Sequence, residues 1–168
     1  MINKKNVIFL ILIAIAFTLT SVTSHSPKLA TYKLVQIQDG LWEITISTSS
    51  SCLNKALKVY SDKNELELNK TNYNKILTQY LKSKFLIEIN GSDKIVLDQL
   101  GIKLGSHEIN IKALINYETK TISKIKFKIP QFGENIGQQN IVKFYYQDKI
   151  YKSILSLRNG FQYEFSNF

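Results

Sequence analysis

Cysteine is nearly missing from this chain: Cys52 is the only one in 168 residues, so no intramolecular disulfide can form and stability has to come from packing. Cys52 follows a run of serines, too far along to be a lipid-attachment cysteine beside a cleavage site, and reads as a small residue near a helix start. Arginine is as scarce. Arg158 stands alone, so the formal charge of +9 is almost entirely lysine. Nucleic-acid and phosphate sites favour the forked donors of arginine, and a nucleic-acid partner is not expected. Histidine occurs at His25 and His107 only, leaving few candidates for the base of a hydrolytic triad. Gly-x-Ser-x-Gly, Gly-x-Gly-x-x-Gly, phosphate-loop, His-Glu-x-x-His and paired-cysteine patterns are all missing. Ser106-His107-Glu108 offers three suggestive residue types, but neighbours on a strand point to opposite faces and do not form a relay. The expectation is a protein without catalytic residues.

The N-terminus carries more. A basic start at Lys4-Lys5, an apolar run from Val7 to Leu19, and small or hydroxylated residues from Thr20 to Ser24 are the three parts of a secretory signal. Val22 and Ser24 suit signal peptidase, giving a signal peptide over 1–24 and a mature chain that begins at His25. The rival is a membrane anchor by an uncleaved N-terminal helix. A span needs about 20 apolar residues, and this run is shorter. Cleavage leaves 144 residues and a charge of +7, suiting one exported domain over 25–168 in the periplasm or outside the cell.

Two amphipathic patterns follow one another in the middle of the chain. Leu53, Ala56, Leu57 and Tyr60 recur at helical spacing, with Ser50 or Ser51 as N-cap. Tyr73, Ile76, Leu77, Tyr80 and Leu81 form a stronger stripe, capped by Thr71 or Asn72, and core packing against a sheet is its expected use. Elsewhere the period is two. Strands are expected from Lys28 to Gln38 and from Leu41 to Ser47 about an Asp39-Gly40 hairpin, then from Phe85 to Asn90, with an Asn90-Gly91 turn and a return strand from Lys94 through Asp98 to Leu100. Gly101 and Gly105 mark bends or a bulge, and Glu108 to Tyr117 is the longest alternating run. Lys124, Lys126 and Lys128 give the strand before Pro130 a cationic outer face, read as lysines that keep a sheet edge soluble. Asn140 to Tyr146, Lys149 to Leu157 and Phe161 to Phe165 form a closing meander with turns at Gln147-Asp148 and Asn159-Gly160. The fold class is α+β, mainly β: an antiparallel sandwich or curved meander sheet with a two-helix insertion after the second strand.

His25 after the signal, the helix Leu53-Asn54-Lys55-Ala56-Leu57, and the segment Tyr80-Leu81-Lys82-Ser83-Lys84-Phe85-Leu86-Ile87-Glu88-Ile89-Asn90-Gly91 resemble a family of small exported bacterial proteins known as domain of unknown function 6702. Gln139-Asn140-Ile141-Val142 and the closing Phe161-Gln162-Tyr163-Glu164-Phe165 look like it too, so the resemblance spans nearly all of the mature chain. The family often has a proline after the leading histidine and a histidine before the phenylalanine of the Tyr-Leu segment. Ser26 and Lys84 stand there instead, which weakens a histidine-centred role. The resemblance implies export and a β-rich fold and brings no activity or catalytic residues with it.

These readings converge on a non-enzymatic exported envelope protein, a binding or accessory module for an unknown envelope protein or ligand, needing no cofactor and meeting a membrane only through an uncleaved signal segment. The alternative is a copper-binding envelope protein. The freed α-amino group and imidazole of His25 can chelate Cu(II), and His107 can complete a plane of three nitrogens. Nothing in the sequence brings the two histidines together.

Overall fold

The computed structural model describes residues 28–97, 99–104, 107–118 and 121–168. The segment 1–24 and His25, Asp98, Gly105 and Ser106 therefore lie outside the described residues. Strand β1 (Lys28–Gln38) and strand β2 (Leu41–Ser49) pair antiparallel about Asp39-Gly40, where Gly40 takes φ +72°, a left-handed conformation that glycine adopts without penalty. Trp42, Ile44 and Ile46 are buried on one side of β2, as alternation predicts. The chain then enters helix α1 (Ser50–Lys63) directly. Its N-cap is Ser49, one residue before the expected Ser50 or Ser51: the last strand residue accepts the Cys52 N–H on its Oγ at 3.2 Å.

Helix α2 (Tyr73–Ser83) buries Ile76, Leu77, Tyr80 and Leu81 of the expected stripe, while Tyr73 at its start is half-buried. Asn72 occupies its N-cap position without a capping bond. Its side chain is engaged in the preceding loop, where Asn72 Oδ1 accepts the Asn69 N–H at 3.0 Å. Strands β3 (Leu86–Ile89) and β4 (Asp93–Ile95) follow, joined through Asn90 and Gly91, both at positive φ. The chain continues as β5 (Gln99–Leu104), β6 (Glu108–Asn116), β7 (Lys124–Lys128), β8 (Gln138–Tyr146) and β9 (Lys149–Ser156). A 3-10 turn over Leu157–Asn159 leads into β10 (Gln162–Ser166).

These strands form two sheets, ordered β5-β6-β2-β1-β8-β9 and β10-β7-β3-β4. Their inner faces share one core: Phe144 of the first lies 6.1 Å from Phe127 and 6.5 Å from Phe165 of the second, centroid to centroid. The protein is thus mainly β, a sandwich with a two-helix insertion after the second strand. Three features depart from the expected order. β1 and β8 are parallel, so the larger sheet is mixed. The return strand from Lys94 is divided, β4 staying with β3 while β5 joins the edge of the other sheet, with buried Leu97 at the crossing. The closing segment is no meander, because the corner at Asn159-Gly160 sends β10 across to β7. Gly160 is left-handed there, and Asn159 Oδ1 accepts the Ser156 N–H at 2.8 Å.

Both helices sit at the end of the sandwich where β2 ends, β8 begins and the loop from Ile129 to Gly137 crosses between the sheets. Asn135 Nδ2 donates to the Cys52 carbonyl at 3.2 Å, and Gln131 Nε2 donates to the Leu81 carbonyl at 2.8 Å, which fastens the loop to α1 and α2. Buried Asn140 donates to the carbonyls of Ile129 and Gln131, both at 2.8 Å. Buried backbone acceptors in an irregular crossing need such partners.

Candidate functional site

The outer face of the six-stranded sheet follows from strand alternation. Tyr32 and Leu34 on β1, Val142 and Phe144 on β8, and Leu155 on β9 are buried, so Lys33, Lys143 and Lys152 point outward. Register then aligns them: Lys33 faces Lys143, and Lys143 faces Lys152. With strands about 4.8 Å apart, the outer members of this row stand on backbones only about 10 Å apart. Like charges directly opposite on neighbouring strands destabilise a sheet. No acid stands directly opposite them, for β1, β8 and β9 contain no aspartate or glutamate, and the diagonal neighbour of Lys33 on β2, Glu43, pairs with Lys112 instead. None of the three lysines takes part in an ion pair among the described residues. Lys33 Nζ does lie 5.0 Å from the Tyr145 ring centroid, a cation–π contact.

Rows that are apolar except for Thr31 flank the cations. Val35, Tyr145 and Ile150 align on one side, and Thr31, Ile141 and Ile154 on the other. Ile150 is 61% exposed, Ile154 48% and Leu29 45%, so the aliphatic surface is open to solvent. Further along the cationic row come Thr45 and Lys112. Lys112 is answered by Glu43, whose two carboxylate oxygens both lie 3.1 Å from its Nζ. The aligned lysines without an ion pair therefore lie on the half of the sheet formed by β1, β8 and β9.

The lysine row that the sequence singles out behaves otherwise. β7 lies between β10 and β3, inside its sheet, so Lys124, Lys126 and Lys128 do not guard an edge. Lys126 faces Glu164 on one side and Glu88 on the other, and Glu88 faces Lys94, so charge alternates across all four strands. Opposite charges facing one another in this way favour the sheet, although these side chains close no ion pair among the described residues and Lys124 and Lys128 face Ser166 and Gln162.

A second polar cluster surrounds the crossing loop. The Tyr80 hydroxyl accepts the Phe132 N–H at 2.6 Å and donates to Glu134 Oε2 at 2.9 Å, while Lys84 pairs with Glu134 at 3.2 Å. Burial, reinforced by the Glu134 charge, holds the Tyr80 hydroxyl well above the ordinary tyrosine range. Burial likewise raises Tyr32, whose hydroxyl has no hydrogen-bond partner. Both phenols stay protonated at neutral pH, and that of Tyr80 holds the loop in place. Beside the loop, Glu134, Ile136, Gln138, Ile154, Leu157 and Arg158 line an open cleft of about 740 Å³.

His107 is exposed at the bend before β6, and its carbonyl accepts the Ser50 N–H at 3.0 Å. Its proposed partner His25 lies outside the described residues, as does Ser106 of the Ser-His-Glu triplet. Among the described residues no three His, Cys, Asp or Glu side chains cluster as a metal site would need. No described helix is long and apolar enough to cross a membrane. Cys52 is buried, as a small residue near a helix start should be. No protein-family model matches the chain, and no curated protein matches it.

Proposed function

We propose that this chain is a non-enzymatic exported module of the cell envelope that binds an anionic partner on the outer face of β1, β8 and β9. The observation that carries the reading is the alignment of Lys33, Lys143 and Lys152 on three acid-free strands. Such a row is unfavourable in the free protein and becomes favourable when an anion lies across it. Export is supported by the N-terminal residues Lys4 to Ser24. Mass spectrometry of the native protein should find a chain beginning at His25.

The face itself is tested by retention on the envelope fraction of the exporting cell. Wild-type protein should be retained and released by salt, and the triple variant Lys33→Gln, Lys143→Gln, Lys152→Gln should not be retained. Replacing Lys124, Lys126 and Lys128 by Gln makes the matched control, which should bind like wild type. Equal retention of the two variants would refute the assignment.

A further inference from the structure

We infer that the anionic partner is a lipid bilayer surface, so that the folded domain has a membrane contact of its own, separate from the apolar run Val7 to Leu19. This rests on the proposed role of the β1–β8–β9 face and names what it meets. Three properties of the face select a bilayer. Its charges are lysines, compact ammonium groups that suit laterally mobile headgroups, rather than arginine forks made for one fixed oxyanion. Exposed aliphatic side chains lie directly against the cations: Ile150 and Ile154 occupy the register levels on either side of Lys152, and Leu29 lies beyond Thr31 on β1. A polar acidic polymer would cover the lysines and leave those side chains wet, whereas the boundary between headgroups and acyl chains takes both. Tyr145, beside Lys33, supplies an amphipathic ring of the kind that settles at such a boundary.

Chain geometry agrees with this placement. β1 begins nine residues after Leu19, so whenever the apolar run is held in a bilayer, β1 starts within about 30 Å of it. A processed chain loses that tether and depends on the face alone.

Co-sedimentation with vesicles provides the test, using the chain as recovered from the exporting cell. Vesicles of phosphatidylcholine alone are compared with vesicles that also contain phosphatidylglycerol, each at low and high salt. Binding should require the anionic lipid and fade with salt. The triple lysine-to-glutamine variant should bind on the order of 100-fold more weakly, given roughly 1 kcal/mol per basic residue at an anionic surface. Ile150→Asp with Ile154→Asp should also weaken binding, while the Lys124, Lys126, Lys128 variant should match wild type. Any contribution of an uncleaved apolar run is common to wild type and variants and cancels. Failure of wild type to prefer anionic vesicles, or equal losses in the two lysine variants, overturns the inference. If wild type ignores vesicles yet is still retained by the envelope fraction through Lys33, Lys143 and Lys152, the bilayer falls and an acidic protein or polymer takes its place. If neither binding is seen, the reading of the face falls with it.

Discussion

Lys143 stands between Lys33 and Lys152, and Lys126 stands between Glu88 and Glu164, so one substitution should have opposite consequences at the two sites. In Lys143→Glu, two like-charge pairs become two opposite-charge pairs. Cross-strand charge pairs are each worth about 0.2–1 kcal/mol, so the reversal should stabilise the fold by about 0.5–2 kcal/mol at low ionic strength. Lys126→Glu does the reverse, setting three carboxylates in a row, and should destabilise by a similar amount. Both sites are on outer faces, so both effects should shrink as salt shortens the screening length to about 10 Å at 0.1 M and less above it. Lys143→Gln should fall between wild type and Lys143→Glu. Urea unfolding of the four proteins at low and high salt measures all of this. Destabilisation by Lys143→Glu at low salt, or shifts that ignore salt, would mean that the three ammonium groups splay apart and do not feel one another. The argument for an anion across the row would then lose its physical basis. The combined outcome sought, a more stable protein that no longer binds, is the mark of a residue kept for function at the cost of the fold.

The remaining predictions concern the helices and the histidines. Leu77 is fully buried in the α2 stripe, so Leu77→Ala should lower stability by about 2–5 kcal/mol, while Thr78→Ala on the half-wet side should change it by no more than about 0.5 kcal/mol in the same unfolding assay. Tyr80→Phe keeps the ring but strands the buried Phe132 N–H, which should cost about 1–3 kcal/mol. Because the Tyr80 hydroxyl is raised above the unfolded value of about 10, its contribution is complete below that pH and lost as pH climbs beyond it. Wild type should therefore lose stability in alkali more steeply than Tyr80→Phe, and equal slopes would contradict the buried placement. In calorimetric titration with Cu(II), adding one residue ahead of His25 should abolish tight binding while His107→Ala leaves it unchanged; a loss in His107→Ala would instead establish the three-nitrogen site.

The sequence revealed what is decided within a few residues. Asp39-Gly40 and Asn90-Gly91 turn where their dipeptides say they should, and Gln147-Asp148 turns with both residues left-handed, at φ 48° and 59°. The alternation of β2 and β6 separates buried from exposed side chains, and the stripe of α2 does so at four of its five positions, Tyr73 staying half-buried. Pairing over distance was hidden. Nothing local in Lys28–Gln38 marks Gln138–Tyr146 as a parallel neighbour, because that choice is made by Phe144, Phe127 and Phe165 closing the core between two sheets. The division of the strand after Lys94 and the escape of β10 to the second sheet have the same origin. Each hands one end of a segment to whichever sheet buries its apolar side.

Charge patterning went wrong for a related reason, and in both directions. Lys124, Lys126 and Lys128 draw attention because they alternate along one short strand, yet the central one, Lys126, meets Glu88 and Glu164, on strands far away in the chain. Lys33, Lys143 and Lys152 draw none, since they lie on three strands that are separate in the chain, none of which carries more than two lysines. Acid-free strand sequence does not by itself separate the two rows: β1, β8 and β9 lack acids, but so do β5 and β7, and only pairing shows which of them have acid-bearing neighbours. Solubility does not explain the outcome. Three outward lysines serve a wet surface best when staggered among the rows, where each covers its own aliphatic neighbours and none repels another. β8 had outward positions at Gln139 and Ile141 that would have staggered its lysine. Placing it at position 143, level with both others, gives up that advantage and concentrates charge where exposed isoleucines border it, an arrangement that makes sense once something anionic and partly apolar lies across all three strands.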